Sequence, residues 1–213
     1  MRQLLLITFF VLLAVAPVAM AQDWEVGVGG GGSFYTSQTV TNPLGSAEAK
    51  LANGFIVSAW LDNRISKVFG GELRYDYEQS DLRLSSGSTS VGFGSHTNAI
   101  HYDFLLNMAS REAKVTPFLA GGAGVKLYTG TGTESAFQPL SNIALLTKTS
   151  HLLPLVSVGG GIKFRVSNSV LVRLEVHDYL TPFPSDVIAP AFRSKVGGWI
   201  SDFVAMGGIS YTF

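Results

Sequence analysis

Residues 69–77 read FGGELRYDY, and apolar and charged side chains alternate along this stretch. The charged residues take the even positions, as Glu72, Arg74 and Asp76, while aromatic and aliphatic residues take most of the odd ones. Successive side chains of an extended chain point to opposite sides. The stretch therefore predicts a β-strand with one apolar face and one charged face.

The same alternation recurs along the chain. Seven further segments carry it, at 24–34, 55–61, 99–108, 117–128, 154–166, 172–177 and 199–213. The sequence does not assign the two faces of 55–61, because large apolar residues occupy both parities: Ile56 and Trp60 on one, Phe55 and Val57 on the other. We therefore predict an all-β protein with eight strands.

The connections between these strands alternate in length. Those after the second, fourth and sixth strands are short, at about 62–67, 109–114 and 167–169. The others are long, near 37–53, 79–96, 129–150 and 182–196. An outer-membrane barrel has tight periplasmic turns and long outer loops, so we predict an eight-stranded antiparallel up-and-down transmembrane β-barrel.

A secreted soluble barrel is the alternative to this interpretation. Its strands would alternate in the same way, but the apolar residues would lie inside and the charged residues outside. Glycine on the polar faces, balanced charges within those faces and the alternating loop lengths favour the membrane barrel.

The start of the chain has the pattern of a secretory signal peptide. Arg2 precedes an apolar run over 4–18, and small residues end the run at 19–21 as AMA. An anchored first helix is the alternative, but the small-residue ending favours cleavage. We predict a signal peptide at 1–21 and a single barrel domain at 22–213, exported to the bacterial outer membrane.

The composition excludes several classes of function. The 213 residues contain 15 Lys and Arg against 15 Asp and Glu, and they contain no cysteine. A neutral chain without a basic cluster cannot neutralise a phosphate backbone, so we expect no nucleic-acid partner. Without cysteine, no disulfide framework or cysteine-based zinc site can form. We expect no metal and no cofactor.

The charged faces of the strands would meet inside the barrel. An eight-stranded barrel has room only for side chains, and buried charges persist when they are paired. Five acids and five bases on these faces therefore predict a network that plugs a monomeric barrel; an ion pathway is the alternative. The network consists of Glu72, Arg74, Asp76, His101, Asp103, Lys126, Lys163, Arg165, Arg173, Glu175, His177 and Asp202.

The histidines raise the question of catalysis. His101 and Asp103 share a face and could form an acid with its orienting partner, and His96, His151 and His177 are further candidates. No His-x-Ser arrangement occurs in the sequence. The glycine-rich runs lack the strand-to-helix context of a phosphate-binding loop, so we interpret these glycines as room for bulky lumen side chains. We predict no catalytic residues.

Two stretches resemble a known family. Residues 117–125, PFLAGGAGV, are similar to the proline-aromatic-glycine strand of small outer-membrane barrels, and 208–213, GISYTF, are similar to their final strand. Over 22–213 the chain resembles the family typified by the transmembrane domain of outer-membrane protein A and its single-barrel relatives. The resemblance implies surrounding outer-membrane lipid and a barrel-assembly machinery that reads Ile209, Tyr211 and Phe213 as an assembly signal.

The resemblance also shapes the expected function. It implies a role in envelope structure or surface interaction through the long outer loops. The family's lipid A deacylases are expected to carry a His-x-Ser arrangement, which this sequence lacks, so we do not expect an enzyme. Modification of outer-leaflet lipid and passage of small apolar molecules through a lateral opening stay as alternatives.

Overall fold

The computed structural model describes residues 23–213, apart from residues 111 and 136. The predicted signal peptide at 1–21 lies outside the described residues. Within the described part of the chain, no helix is long and apolar enough to cross a membrane.

Fourteen β-strands make up the fold of the described residues. In chain order they are β1 (Asp23–Tyr35), β2 (Gln38–Asn42), β3 (Gly45–Leu51), β4 (Gly54–Arg64), β5 (Phe69–Gln79), β6 (Leu82–Ser86), β7 (Thr89–Phe93), β8 (Ser95–Asn107), β9 (Val115–Gly130), β10 (Ala144–Leu146), β11 (Ser150–Arg165), β12 (Val170–Pro182), β13 (Ile188–Pro190) and β14 (Trp199–Thr212). Eight of them, β1, β4, β5, β8, β9, β11, β12 and β14, form a closed barrel. The first and last strands close it by antiparallel pairing that runs from Glu25 opposite Thr212 to Tyr35 opposite Asp202. The predicted eight-stranded antiparallel barrel is confirmed.

The barrel strands place apolar side chains outside and charged side chains inside. Phe104 on the outer face is 67% exposed and Leu174 is 55% exposed, whereas Arg173 on the inner face is 0% exposed. An apolar outer belt around a polar interior is the arrangement of a transmembrane β-barrel. The alternative of a soluble barrel, with the apolar face inside, is therefore wrong.

The faces of β4, which the sequence left open, are settled by its neighbours. Ile56 and Trp60 point into the lumen and are buried, while Phe55 and Val57 lie exposed on the outer face. Trp60 fits inside because the residue opposite it on β1 is Gly27. The tryptophan of this strand thus belongs to the inner face, and its phenylalanine to the outer face.

The two ends of the barrel differ as the sequence predicts. Three short turns, at 65–68, 108–114 and 166–169, lie at one end, which we call the short-turn end. The long connections lie at the other end, but they are not the plain loops that we expected. They contain six further strands, of which β2, β3, β6 and β7 form one sheet and β10 and β13 another. With three to seven residues each, these strands are too short to show a clear alternation in the sequence.

We call these connections, residues 36–53, 80–94, 131–149 and 183–198, the cap. Apolar side chains of the cap pack into one buried cluster with those at the adjoining ends of the barrel strands. It contains Tyr35, Val40, Ala47, Ala49, Leu51, Leu82, Leu84, Phe93, Tyr128, Leu140, Ile143, Ala144, Leu146, Leu153, Phe183, Val187, Ile188 and Ile200. Burial of apolar surface stabilises this end of the molecule, so the cap is folded and covers the mouth of the barrel opposite the short-turn end.

Candidate functional site

A column of ion pairs fills the lumen, and it begins near the short-turn end. Lys163 Nζ lies 2.7 Å from Glu25 Oε2 and also pairs with Asp62. Ser210 Oγ donates a hydrogen bond of 2.7 Å to Glu25 Oε1. These side chains are buried, and Arg173 Nη1 also lies 3.3 Å from Glu25 Oε1, so an amine, a hydroxyl and a guanidinium group serve the two carboxylates.

Two arginines and two glutamates form a ring in the middle of the lumen. Arg74 Nη2 lies 2.7 Å from Glu72 Oε1 and 2.8 Å from Glu175 Oε1. Arg173 Nη1 lies 2.7 Å from Glu72 Oε2, and its Nη2 lies 3.1 Å from Glu175 Oε2. Both guanidinium groups also lie over the ring of Trp60, at 5.2 and 4.6 Å from its centroid. Because guanidinium–carboxylate pairs are among the stronger hydrogen-bonded contacts, this Arg–Glu ring fixes the side chains across the lumen.

His101 links two carboxylates on the cap side of this ring. Its Nδ1 lies 3.1 Å from Asp103 Oδ1, and its Nε2 lies 3.1 Å from Asp76 Oδ2. Ser58 donates a further hydrogen bond to Asp76. Each ring nitrogen of His101 thus faces a carboxylate oxygen, so the imidazole bridges two acids of the lumen.

A serine, a histidine and a glutamate stand in the order of a catalytic triad. Ser157 Oγ lies 3.5 Å from His177 Nδ1, and His177 Nε2 lies 3.5 Å from Glu175 Oε2. Both contacts are long, and Ser157 Oγ also donates at 3.1 Å to Asp103 Oδ2. All four side chains are buried in the lumen, so the serine is held within the polar network and is shielded from solvent.

Lys126 forms the last charged layer below the cap. Its Nζ donates to Glu78 Oε1 at 2.9 Å and to Asp202 Oδ2 at 2.6 Å. The hydroxyl of Tyr35 donates to the other oxygen of Glu78. The ammonium also lies 4.9 Å from the ring centroid of Tyr35 and 5.6 Å from that of Tyr179, within the range of cation–π attraction.

Glycines on β9 and β11 face the bulky polar side chains of the lumen. The directly opposed pairs are Gly122 with Asp103, Gly124 with His101, Gly159 with His177 and Gly161 with Glu175. A β-carbon on Gly124 would lie 2.4 Å from the Cβ of His101. For these four glycines, the interpretation as room for lumen side chains is confirmed.

The residues predicted for the lumen are buried in this column, with the exception of Arg165. Arg165 is half-buried at the short-turn end, where its Nη1 donates at 3.0 Å to the carbonyl of Asn168. The predicted list omitted Glu25, Asp62 and Glu78. Glu78 continues the even-numbered charged positions of β5, so the sequence pattern could have identified it. Asp62 lies on β4, whose two faces the sequence did not assign.

The acid–base balance of the lumen therefore differs from the predicted five acids and five bases. The buried bases are Arg74, Lys126, Lys163 and Arg173, together with His101 and His177. Among the residues whose burial the structure describes, eight acids are buried: Glu25, Asp62, Glu72, Asp76, Glu78, Asp103, Glu175 and Asp202. Because the acids outnumber the lysines and arginines, histidines and hydroxyl donors such as Tyr35 make some of the contacts to the carboxylates.

The other predicted residues lie on the outer surface. Ile209, Tyr211 and Phe213 are exposed on the outer face, and the rings of Tyr211 and Phe213 stack with centroids 6.5 Å apart. Phe213 also donates its backbone N–H to the carbonyl of Trp24 at 3.0 Å, next to the β1–β14 junction. Their role in assembly stays a prediction.

The remaining histidines lie outside the lumen column. His96 stacks on Tyr77 with ring centroids 5.7 Å apart, and His151 Nε2 lies 3.6 Å from Asp186 Oδ2 in the cap. Among residues 23–213, less 111 and 136, no group of three or more His, Asp or Glu side chains is arranged to hold a metal ion.

Comparisons with known proteins bear on the fold. No protein-family model and no curated protein matches this sequence. Neisserial surface protein A has a similar structure, with a TM-score of 0.54 and 11% identity over 90% of this chain and 97% of that chain. The chain has the fold of the eight-stranded outer-membrane barrels.

Two further structures are less similar. The N-terminal β-barrel domain of Pseudomonas aeruginosa OprF gives a TM-score of 0.47 at 11% identity over 89% of this chain and 97% of that chain. Ail, the attachment invasion locus protein of Yersinia pestis, gives 0.42 at 11% identity over 89% and 99%. At such identities the likeness concerns the fold, so the function has to be argued from the lumen and the cap.

Proposed function

We propose that this protein is an integral outer-membrane protein with a closed barrel, which supports the envelope and meets other surfaces through its folded cap. The observation that carries the proposal is the closure of the lumen at two levels. The Arg–Glu ring crosses the middle of the lumen, and the apolar cluster under the cap covers the outer mouth. A closed barrel leaves the rigid outer surface of the cap as the part that can meet a partner.

The ion pairs argue against conduction. Each buried acid of the column contacts a lysine, an arginine or a histidine. Breaking a buried pair leaves an uncompensated charge, which costs about 3–5 kcal/mol. An ion that crossed the lumen would have to break several such pairs in turn, so the column acts as a plug.

The positions of the candidate catalytic residues in the lumen argue against an enzyme that works there; His96 and His151 are half-buried outside the lumen, and neither adjoins a serine in the His-x-Ser arrangement. His101 and Asp103 are 2% and 0% exposed and point into the lumen, on the side of the strands that faces away from lipid. Ser157 and His177 are equally buried. An outer-leaflet lipid would have no access to these groups.

The continuous strand pairing argues against a lateral route for apolar molecules. Hydrogen-bonded neighbours follow one another around the whole barrel. The β1–β14 junction, which joins the first and last described strands, is paired from Glu25 to Tyr35. We further propose that the protein is a monomer surrounded by outer-membrane lipid and inserted by the barrel-assembly machinery.

Cell fractionation with gel mobility tests the location and the closed barrel together. Outer-membrane fractions are run with and without heating, because a closed barrel resists detergent until it is boiled. We expect the protein in that fraction, with a mobility that shifts on heating. A soluble protein whose mobility does not change would overturn the proposal.

Conductance across planar bilayers tests the plug. We expect no steady channel currents from the purified, folded protein, while a porin reconstituted in the same way conducts. Steady currents from a preparation that shows the heat-dependent mobility shift would contradict the closed lumen and favour the ion pathway.

A further inference from the structure

Hydrogen bonds join three segments of the cap into one group, which we call the tip platform: residues 41–45, 142–143 and 191–195. Thr41 and Lys195 exchange two backbone hydrogen bonds, of 3.0 and 2.7 Å. Ser194 Oγ donates at 2.8 Å to the carbonyl of Ile143, which lies in the buried cluster. The side-chain amide of Asn42 donates to the carbonyl of Asn142. The platform is therefore held in place by the folded cap.

The tip platform exposes two large apolar side chains to water. Phe192 is 87% exposed and Leu44 is 76% exposed. Asn42 Nδ2 donates at 3.3 Å to Ser194 Oγ. Leu44 is two positions from Asn42 and Phe192 is two positions from Ser194, so the two apolar residues stand on adjoining turns. Single exposed apolar residues are common on protein surfaces, whereas two large ones on hydrogen-bonded neighbouring turns favour a contact surface.

The charges of the tip platform are all positive. The guanidinium of Arg193 lies 5.3 Å from the ring centroid of Phe192, and Lys195 is exposed beside it. The sequence has no Asp or Glu in 187–201 and no charged residue in 36–47 or 141–147. The surface is therefore complementary to an anionic partner.

We propose that the tip platform docks onto an anionic lipid surface that approaches the outer end of the barrel. The interface of a bilayer takes up aromatic and aliphatic side chains at the level of the headgroups. The exposed side chains of Phe192 and Leu44 would be buried there. Anionic headgroups attract Arg193 and Lys195 at the same time. A hydrophilic polyanion would satisfy the two cations but would leave the two apolar side chains in water. The inference rests on the proposed function, in which the cap faces outwards, and it names the partner.

Vesicle flotation tests the docking. The protein is placed in nanodiscs of phosphatidylcholine, and vesicles are made of phosphatidylcholine alone or with phosphatidylglycerol. We expect flotation with the anionic vesicles and not with the neutral ones. The variant Arg193→Gln/Lys195→Gln should bind about 30-fold more weakly, and its control Arg83→Gln/Lys148→Gln, which removes the same charge elsewhere on the cap, should bind as the native protein does.

The apolar contribution has its own pair of variants. We expect Phe192→Ser to lose flotation, while Phe137→Ser, at another exposed cap position, retains it. Equal loss in both members of either pair would overturn the proposal. Retained binding in Phe192→Ser together with full competition by soluble dextran sulfate would also overturn it, in favour of a polyanion. Each variant is first checked for heat-dependent gel mobility, so a failure of docking is distinguished from a failure of the closed barrel.

Discussion

Trp60 of β4 stands directly opposite Gly27 of β1, and its indole fills the space that a β-carbon on Gly27 would occupy. Such a carbon would lie 2.4 Å from Trp60 Cε2. Gly208 on β14 is equally close, since its β-carbon would lie 2.4 Å from Trp60 Cη2. The largest inward side chain of β4 therefore depends on residues without side chains on two neighbouring strands.

The variant Gly27→Ala should destabilise the folded barrel. The added methyl group overlaps the indole of Trp60, and overpacking of this kind costs about 1–3 kcal/mol. Unfolding by urea in detergent micelles measures the change. Gly121→Ala is the control, because a β-carbon there would meet its nearest neighbour, the carbonyl of Ser157, at an ordinary 3.9 Å. Equal stability of the two variants would contradict the role of Gly27.

The variant Arg173→Met should destabilise the barrel by about 3–5 kcal/mol. Glu72 and Glu175 lose a partner in the Arg–Glu ring, and both carboxylates stay buried. The same urea titration measures the effect. Arg83→Met on the exposed face of β6 removes a charge of the same kind from the surface, where we expect a change within about 0.5 kcal/mol. A comparable loss of stability in both variants would contradict a specific contribution of the Arg–Glu ring to folding.

His101 and Asp103 should be energetically coupled. His101→Leu leaves two buried carboxylates without their shared donor, whereas Asp103→Leu leaves the imidazole with one acid. The double variant should therefore be more stable than the sum of the single losses predicts, by about 0.5–3 kcal/mol. A double-mutant cycle of unfolding free energies measures this term. Additive losses would mean that the contact contributes nothing of its own.

The variant Leu84→Asp should unfold the cap and leave the barrel intact. Leu84 is 0% exposed in the apolar cluster, and a carboxylate there would be buried without a partner. We expect rapid proteolysis of the cap, together with an unchanged heat-dependent gel mobility. Leu44→Asp, at an exposed position, should resist the protease as the native protein does. Loss of the mobility shift in Leu84→Asp would instead show that cap and barrel fold as one unit.

The variant Phe213→Ser should lower the amount of folded protein in the outer membrane. The substitution removes the exposed ring that stacks on Tyr211, at the position predicted to act in assembly. Quantitative blots of heat-modifiable protein in outer-membrane fractions measure the yield. Phe137→Ser in the cap, which also removes an exposed ring, should leave the yield unchanged. An unchanged yield in Phe213→Ser would refute the assembly signal.

Some of the lumen could be predicted from the sequence because parity along a strand is a local property. Glu72, Arg74 and Asp76 fall on one face whatever the neighbouring strands are, and the structure buries all three. The faces of β4 could not be predicted, because apolar residues occupy both parities there. The register between β1 and β4 places Trp60 opposite Gly27, and the sequence of one strand does not contain this register.

The cap illustrates the same limit. Its strands are short and their apolar residues few, so each is uninformative alone, and they become buried only when four distant connections meet. The alternation of polarity and loop length, taken from the sequence alone, determined the class of fold, the number of barrel strands and the contents of most of the lumen. The tertiary structure decided which carboxylates share each cation, how glycine accommodates Trp60, and that the outer connections form a folded cap, because these depend on contacts between strands far apart in the chain.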